Sequence, residues 1–224
     1  MILKIFRIWI RMLKYLTRTV LNAWFFKNFY SVVNKSDNVL WVGSGGELHN
    51  KLLAQGYTLT SLDIDENRSP DIVGDVSKLK LDSNIYDVVC MIEVLEHVEV
   101  PIDALSEIKR VLKPGGFLIL SVPFLINIHD APHDHTRWTH FGLKKLMKGW
   151  KVIEISDRGG VVSTFIILLG RLLMEREMYK KIIAMMLLPM LVVVFYTINV
   201  LSLRSPKIRS YTPGYQVLAK KMLK

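Results

Sequence analysis

Two short runs concentrate the side chains that could do chemistry. Glu93-Val94-Leu95-Glu96-His97 holds two carboxylates and an imidazole within five residues. His129-Asp130-Ala131-Pro132-His133-Asp134-His135-Thr136-Arg137-Trp138 adds three histidines, two aspartates and a guanidinium within ten. That density suits substrate binding or proton transfer better than packing. Imidazole titrates near neutrality and can take a proton from an acceptor hydroxyl. His133 and His135 are the leading bases on this reading, with His129 beside them. Arg137 is suited to clamp an anionic acceptor such as a phosphate.

The surrounding pattern must position these runs. Tyr86–Ile92 reads as a central strand that delivers the first, and Phe117–Val122 as the strand that delivers the second. Between them Pro101–Lys113 reads as a helix with proline at its start, stopped by Pro114-Gly115-Gly116. Upstream, Val39–Val42 reads as a buried strand, Gly43–Gly46 as a tight turn and Glu47–Gln55 as a helix. A second strand, Thr58–Leu62, runs into Asp63, and Asp71–Val76 reads as a short strand tip. In an open parallel sheet ligands bind beyond the carboxyl ends of the strands. Glycines allow close backbone approach, the next helix offers its unpaired N–H groups, and a carboxylate at Asp63 can accept both hydroxyls of a ribose. The pattern is that of a nucleoside-cofactor site. It differs from the dinucleotide fingerprint, whose third glycine would fall where Leu48 stands, and the loop has no Lys or Arg for a pyrophosphate.

Taken in order, VLWVGSGGE, SLDID, DIVGDV, YDVVCMIEVLEHV and EIKRVLKPGGFLILSVP resemble the class I S-adenosylmethionine-dependent methyltransferases of the type 11 group, over about residues 37–160. The resemblance implies a Rossmann-like α/β fold: a seven-stranded, doubly wound sheet whose last strand is antiparallel. It implies that Gly43, Ser44 and Gly45 lie against the methionine part of the cofactor and that Asp63 holds the ribose. Ile64 would pack on the adenine, Asp75 and the Val76 backbone would read its edge, and Glu93 would face the cofactor. Two positions depart from the pattern: Trp41 replaces an acid and Glu47 replaces a third glycine. The second run also resembles an H-x-x-P-x-D/H-x-x-R-W/Y-T pattern of methyltransferases in surface-glycan assembly. Glu93, Glu96 and His97 resemble the E-x-x-E-H pattern of methyltransferases that bind a divalent ion, and His129 or His133 would complete such a site. Mg or Mn suits that donor set and would acidify an acceptor hydroxyl.

The formal charge of +10 over 224 residues invites a nucleic-acid reading, but most of it sits in one place. Residues 1–36 carry seven basic side chains and no acid. Lys4, Arg7, Arg11, Lys14 and Arg18 fall three or four apart, a stripe on a helix otherwise covered by Ile5, Phe6, Ile8, Trp9, Met12, Leu13 and Leu16. A basic amphipathic helix with aromatics suits a membrane interface, and its bulky aliphatics argue against nucleic acid. A second apolar segment, Ile182–Leu203, has no charge over 22 residues, about 33 Å as a helix. Lys180 and Lys181 before it and Arg204, Lys207 and Arg209 after it favour keeping both ends on the cytoplasmic side, with Pro189 offering a bend. Gly214–Lys220 reads as the closing strand. The lone Cys90 sits in an apolar strand, so no intramolecular disulfide forms.

The organisation expected is a basic amphipathic arm over 1–36, a core over 37–160, an apolar helical insertion over 161–205 and a closing strand within 206–224. The function expected is O-methylation of a lipid-linked or surface saccharide, or another amphiphile, at the cytoplasmic membrane face. A small-molecule or glycolipid acceptor and no nucleic acid are the partners implied. The rivals are a quinone or lipid methyltransferase and an inactive cofactor-binding scaffold.

Overall fold

The computed structural model describes residues 18–174 and 211–223. The basic stripe up to residue 17 and the uncharged segment Ile182–Leu203 lie outside the described residues. Among the described residues no helix is long and apolar enough to cross a membrane.

Seven strands form one sheet in the order β3-β2-β1-β4-β5-β7-β6. They are β1 (Val39–Val42), β2 (Leu59–Asp63), β3 (Ile72–Val73), β4 (Tyr86–Ile92), β5 (Leu112–Pro123), β6 (Lys151–Asp157) and β7 (Gly214–Lys220). β1 runs parallel to both β2 and β4, with Trp41 opposite Ser61 on one side and Cys90 on the other. β7 runs against β5: Lys221 exchanges hydrogen bonds with Gly115 and Gly116 at one end, and Pro213 accepts from Phe124 at the other. The expected mixed, seven-stranded methyltransferase sheet is observed. Its central strands are buried on both faces, which is why β1 and β4 read as unbroken apolar runs.

The helices are α1 (18–32), α2 (Glu47–Ala54), α3 (Pro101–Val111), α4 (His140–Leu146) and α5 (Val161–Met174). The described residues form two compact units. The larger comprises 24–123, 128–156 and 215–223; the smaller comprises 18–23, 124–127, 157–174 and 211–214 and includes α5.

Two boundaries differ from the sequence reading. The arm does not remain separate to residue 36: Trp24, Phe25, Phe29 and Val33 sit in one cluster with Val39, Trp41, Val88, Cys90 and Ile119. Phe25 meets the Trp41 ring edge-on at 5.7 Å. The indole at position 41, where the resemblance implies an acid, is thus covered by an aromatic helix. The second difference concerns β5, which starts at Leu112 rather than Phe117. Leu112 pairs with Tyr86, the register slips, and Phe117 then pairs with Val88. Gly116 lies so close to the neighbouring strand that a Cβ there would come within 2.8 Å of the Asp87 carbonyl oxygen. The glycines that read as a helix stop therefore also let the strand pass its own irregularity.

Candidate active site

The glycine turn leaves β1 with three residues at positive φ: Gly43 (+88°), Gly45 (+79°) and Gly46 (+92°). An L side chain would be strained at each. A Cβ on Gly43 would also come within 2.7 Å of Val94 Cγ2, whereas Gly45 and Gly46 face open space. The turn is braced from β2. The Gly43 N–H donates to the Leu62 carbonyl at 2.8 Å. The buried Asp63 carboxylate accepts from the Ser44 N–H at 2.7 Å and from the Asp65 N–H at 3.0 Å. These bonds engage Oδ2 and Oδ1 once each, and a carboxylate oxygen has a second acceptor site. Beside it Ile64 is 73% exposed, a large apolar side chain left uncovered at the mouth. Asp75 Oδ1 takes both the Ser77 N–H and hydroxyl, which holds its carboxyl below the usual range. Val76 is buried beside it.

The second half of the site follows β4. Glu93 sits at φ +56°, an uncommon backbone state for a side-chain-bearing residue. Its Oε1 accepts from the Ser121 hydroxyl of β5 at 2.8 Å. Glu96 is fully buried, and neither carboxylate oxygen has a hydrogen-bond partner. Burial, then the nearby Glu93 charge, pushes its carboxyl up to about 9. Two imidazoles face it: His97 Nε2 lies 3.6 Å and His129 Nε2 3.8 Å from Glu96 Oε1. His97 Nδ1 is 2.8 Å from the His133 carbonyl oxygen. A carbonyl only accepts, so Nδ1 carries a proton, which in the neutral ring leaves the lone pair on Nε2. His129 Nδ1 lies 3.3 Å from Asp134 Oδ2. Glu96, His97 and His129 each offer a ligand atom, all within 4.8 Å of one another.

This arrangement redistributes the candidates. His133 and His135 have exposed rings, 6.2 Å apart, and serve the cluster through the backbone. The His133 carbonyl orients His97, and the His135 N–H donates to the Glu96 carbonyl at 2.9 Å. Arg137 is committed to Asp134: Nη2 donates to Oδ2 at 2.6 Å and Nη1 to Oδ1. That fork drives the Asp134 carboxyl far below its usual range, and Asp134 also accepts from the His129 N–H at 2.8 Å. Glu93, expected as a metal ligand, stands apart from the grouped donor atoms, because Ser121 holds its carboxylate. The sequence reading missed the orienting role of Asp134. A carboxylate three residues before an arginine was its only signal.

Residues 40–120 match a family model described as a methyltransferase domain. A 63-residue stretch is 44% identical to an uncharacterized methyltransferase of Schizosaccharomyces pombe, covering 28% of this chain and 23% of that protein. A protein in a transposon of Streptomyces fradiae is 30% identical over 91 residues, 41% of this chain and 24% of that one. The matched stretches thus span about a quarter of either curated relative. Among solved structures, an S-adenosylmethionine-dependent methyltransferase from Methanosarcina mazei is 17% identical at TM-score 0.55, covering 88% of this chain and 97% of that one. The [4+2]-cyclase SpnF is 16% identical at TM-score 0.58, with 86% and 78% covered. These two likenesses concern the fold.

Proposed function

The chain belongs to the class I methyltransferases of the type 11 group, and from that premise we propose that it transfers a methyl group from S-adenosylmethionine to an acceptor hydroxyl. The observation that carries this reading is one contact. Gly43, in the cofactor turn, lies directly against Val94, in the segment that carries Glu93, Glu96 and His97. Cofactor cradle and acceptor cluster therefore abut at the carboxyl ends of β1 and β4.

The residues present fit the cofactor: open space before Gly45 and Gly46, acceptor capacity on Asp63, and an uncovered Ile64. When bound, S-adenosylmethionine supplies an electrophilic methyl on a sulfonium. The protein's share is positioning, proton removal and exclusion of water. Asp63 braces the turn and would hold the ribose. His97, its Nδ1 proton fixed on the His133 carbonyl, offers Nε2 to an acceptor proton. Asp134 orients His129, accepting its backbone N–H and lying 3.3 Å from its Nδ1.

A divalent cation also fits. Glu96 is a buried carboxylate whose oxygens lack donors, and two imidazoles face it. Two nitrogens beside one carboxylate favour Mn or another first-row ion over Mg. When bound, such an ion supplies Lewis acidity at an acceptor oxygen. Glu96, His97 and His129 would hold it, with His97 Nε2 then serving as a ligand in place of the proton-accepting role it has in the metal-free site.

The acceptor class we favour is a lipid-linked or surface saccharide, or another amphiphile, at a membrane face. The charge pattern of residues 1–18 and the apolar run 182–203 support this. Incubation with labelled S-adenosylmethionine and lipid or glycan extracts, before and after chelation, tests the whole reading. Labelled product is expected, falling on chelation and returning with Mn. No cofactor binding by calorimetry would overturn it. Undiminished activity after exhaustive chelation would remove the cation alone.

A further inference from the structure

We propose that the groove between α3 and α4 docks the protein on an anionic lipid bilayer. This rests on the membrane part of the reading above and locates it on different residues. The groove encloses about 620 Å³, walled by Trp138 and Trp150 and flanked by Ile102, Lys109, Lys145 and Lys148. No acidic side chain lines it. α3 begins four residues after His97, and Trp150 directly precedes β6.

Charge and exposure identify the occupant. Lys109 is engaged, donating to the Gly149 carbonyl at 2.5 Å with its ammonium 5.7 Å from the Trp150 ring centroid. Lys145 and Lys148 are exposed, and their ammonium groups have no hydrogen bond or ion pair among the described residues. Lys144 is exposed too. On α4, Phe141 lies three and four residues before Lys144 and Lys145 and shares their face. Its ring is 81% exposed, and Ile102 in the first turn of α3 is 64% exposed. Large apolar side chains flanked by lysines are what a bilayer interface takes: the ring and aliphatics enter the headgroup region while ammonium groups meet lipid phosphates. A nucleic acid fits less well. The groove has no guanidinium or amide to read phosphates or bases, and Ser106 is its only hydroxyl.

The test places a reporter on the face itself, so that docking elsewhere cannot imitate it. Cys90 is fully buried, so F141C in the full-length chain carries an environment-sensitive fluorophore at one position, and I102C provides a second. Both are titrated with vesicles of phosphatidylglycerol and phosphatidylcholine, and with phosphatidylcholine alone. We expect a blue-shifted, quencher-protected label with anionic vesicles only. K144Q/K145Q/K148Q should weaken that response about a hundredfold while leaving circular dichroism and cofactor affinity unchanged. If the chain floats with anionic vesicles while both labels stay in water, the face is not the dock, though membrane association stands. If it floats with none, both fall. A label response to a single-stranded oligonucleotide that vesicles fail to displace would overturn the lipid assignment in favour of nucleic acid. Cofactor binding is measured throughout, so none of these outcomes bears on methyl transfer.

Discussion

The glycine turn, proposed to hold the cofactor, and the Glu96–histidine cluster, proposed to meet the acceptor, sit side by side but are built on opposite principles. Around the glycine turn the carboxylates are satisfied, although both nitrogens of the buried His49 ring on α2 lack a hydrogen-bond partner among the described residues. Asp63 accepts two backbone N–H groups, Asp75 accepts the Ser77 N–H and hydroxyl, and Asp71 does the same for Ser61. This half is a stiff cradle made from neighbouring residues. After β4 the economy reverses. Glu96 is buried without a donor, and its neighbours are two imidazoles and the Glu93 carboxylate. An unsatisfied buried carboxyl is destabilising, so its retention points to a ligand or a proton that completes it. The contrast teaches that one region is closed by its own hydrogen bonds while the other keeps a buried carboxyl without a donor, which is what the proposed division into a binding and a reacting half requires.

The sharpest way to break this contrast is Glu96→Ala. Activity is expected to fall at least about a thousandfold, the scale of losing a principal catalytic group, while cofactor affinity measured by calorimetry stays within about twofold. Equal losses in both would merge the two halves into one.

The cradle is probed next. Asp63→Ala removes charge-assisted hydrogen bonds worth roughly 1.5–3 kcal/mol each, so S-adenosylmethionine should bind about ten- to a hundredfold more weakly. Unchanged affinity would take Asp63 out of the site. Gly43→Ala places a methyl at φ +88° against Val94. The strain is of order 1–3 kcal/mol, expected as a lower melting temperature together with weaker cofactor binding. A variant as stable as the parent would show that the turn relaxes.

Burial of Glu96 predicts a pH signature in the metal-free protein. Its folded pKa is raised from the ordinary 4.5 to about 9. The unfolded chain therefore releases a proton that the folded one keeps. The carboxyl's favourable share is complete below the unfolded pKa and is lost as pH rises toward 9. At pH 7 the loss is about 3 kcal/mol. Glu96→Gln should thus raise the melting temperature by several degrees at pH 8 and scarcely at pH 4. Equal shifts at both pH values would mean that Glu96 is not titrating against its burial. The smallest effect expected is Ile64→Ser, a few-fold loss in cofactor affinity from one apolar contact, read in the same calorimeter.

Legibility followed the same divide. The glycine turn and the strand-end carboxylate Asp63 could be read because each depends on contiguous residues: an apolar run, a φ > 0 turn, a polar residue at a strand end; the sheet's topology was implied by the family resemblance. The histidine cluster was legible in composition and not in roles. Nothing in the order of residues 129–138 distinguishes His129, whose ring faces Glu96, from His133 and His135, whose backbones do the bracing. Arg137 likewise looked available for a substrate anion until the fold closed it on Asp134. The start of β5 was misplaced for a similar reason, since a register slip depends on the partner strand.

By itself, the sequence determined the strands, the glycine turn and the presence of a titratable rim, because periodicity and backbone permissiveness are local properties. Only the tertiary structure decided that Glu96 is sealed from water, that His97 and His129 face it, and that the aromatic helix α1 covers Trp41. Burial, tautomer and pairing depend on what the rest of the chain brings alongside, over separations of 30 residues and more, as between His97 and Glu96 on one side and His129 on the other.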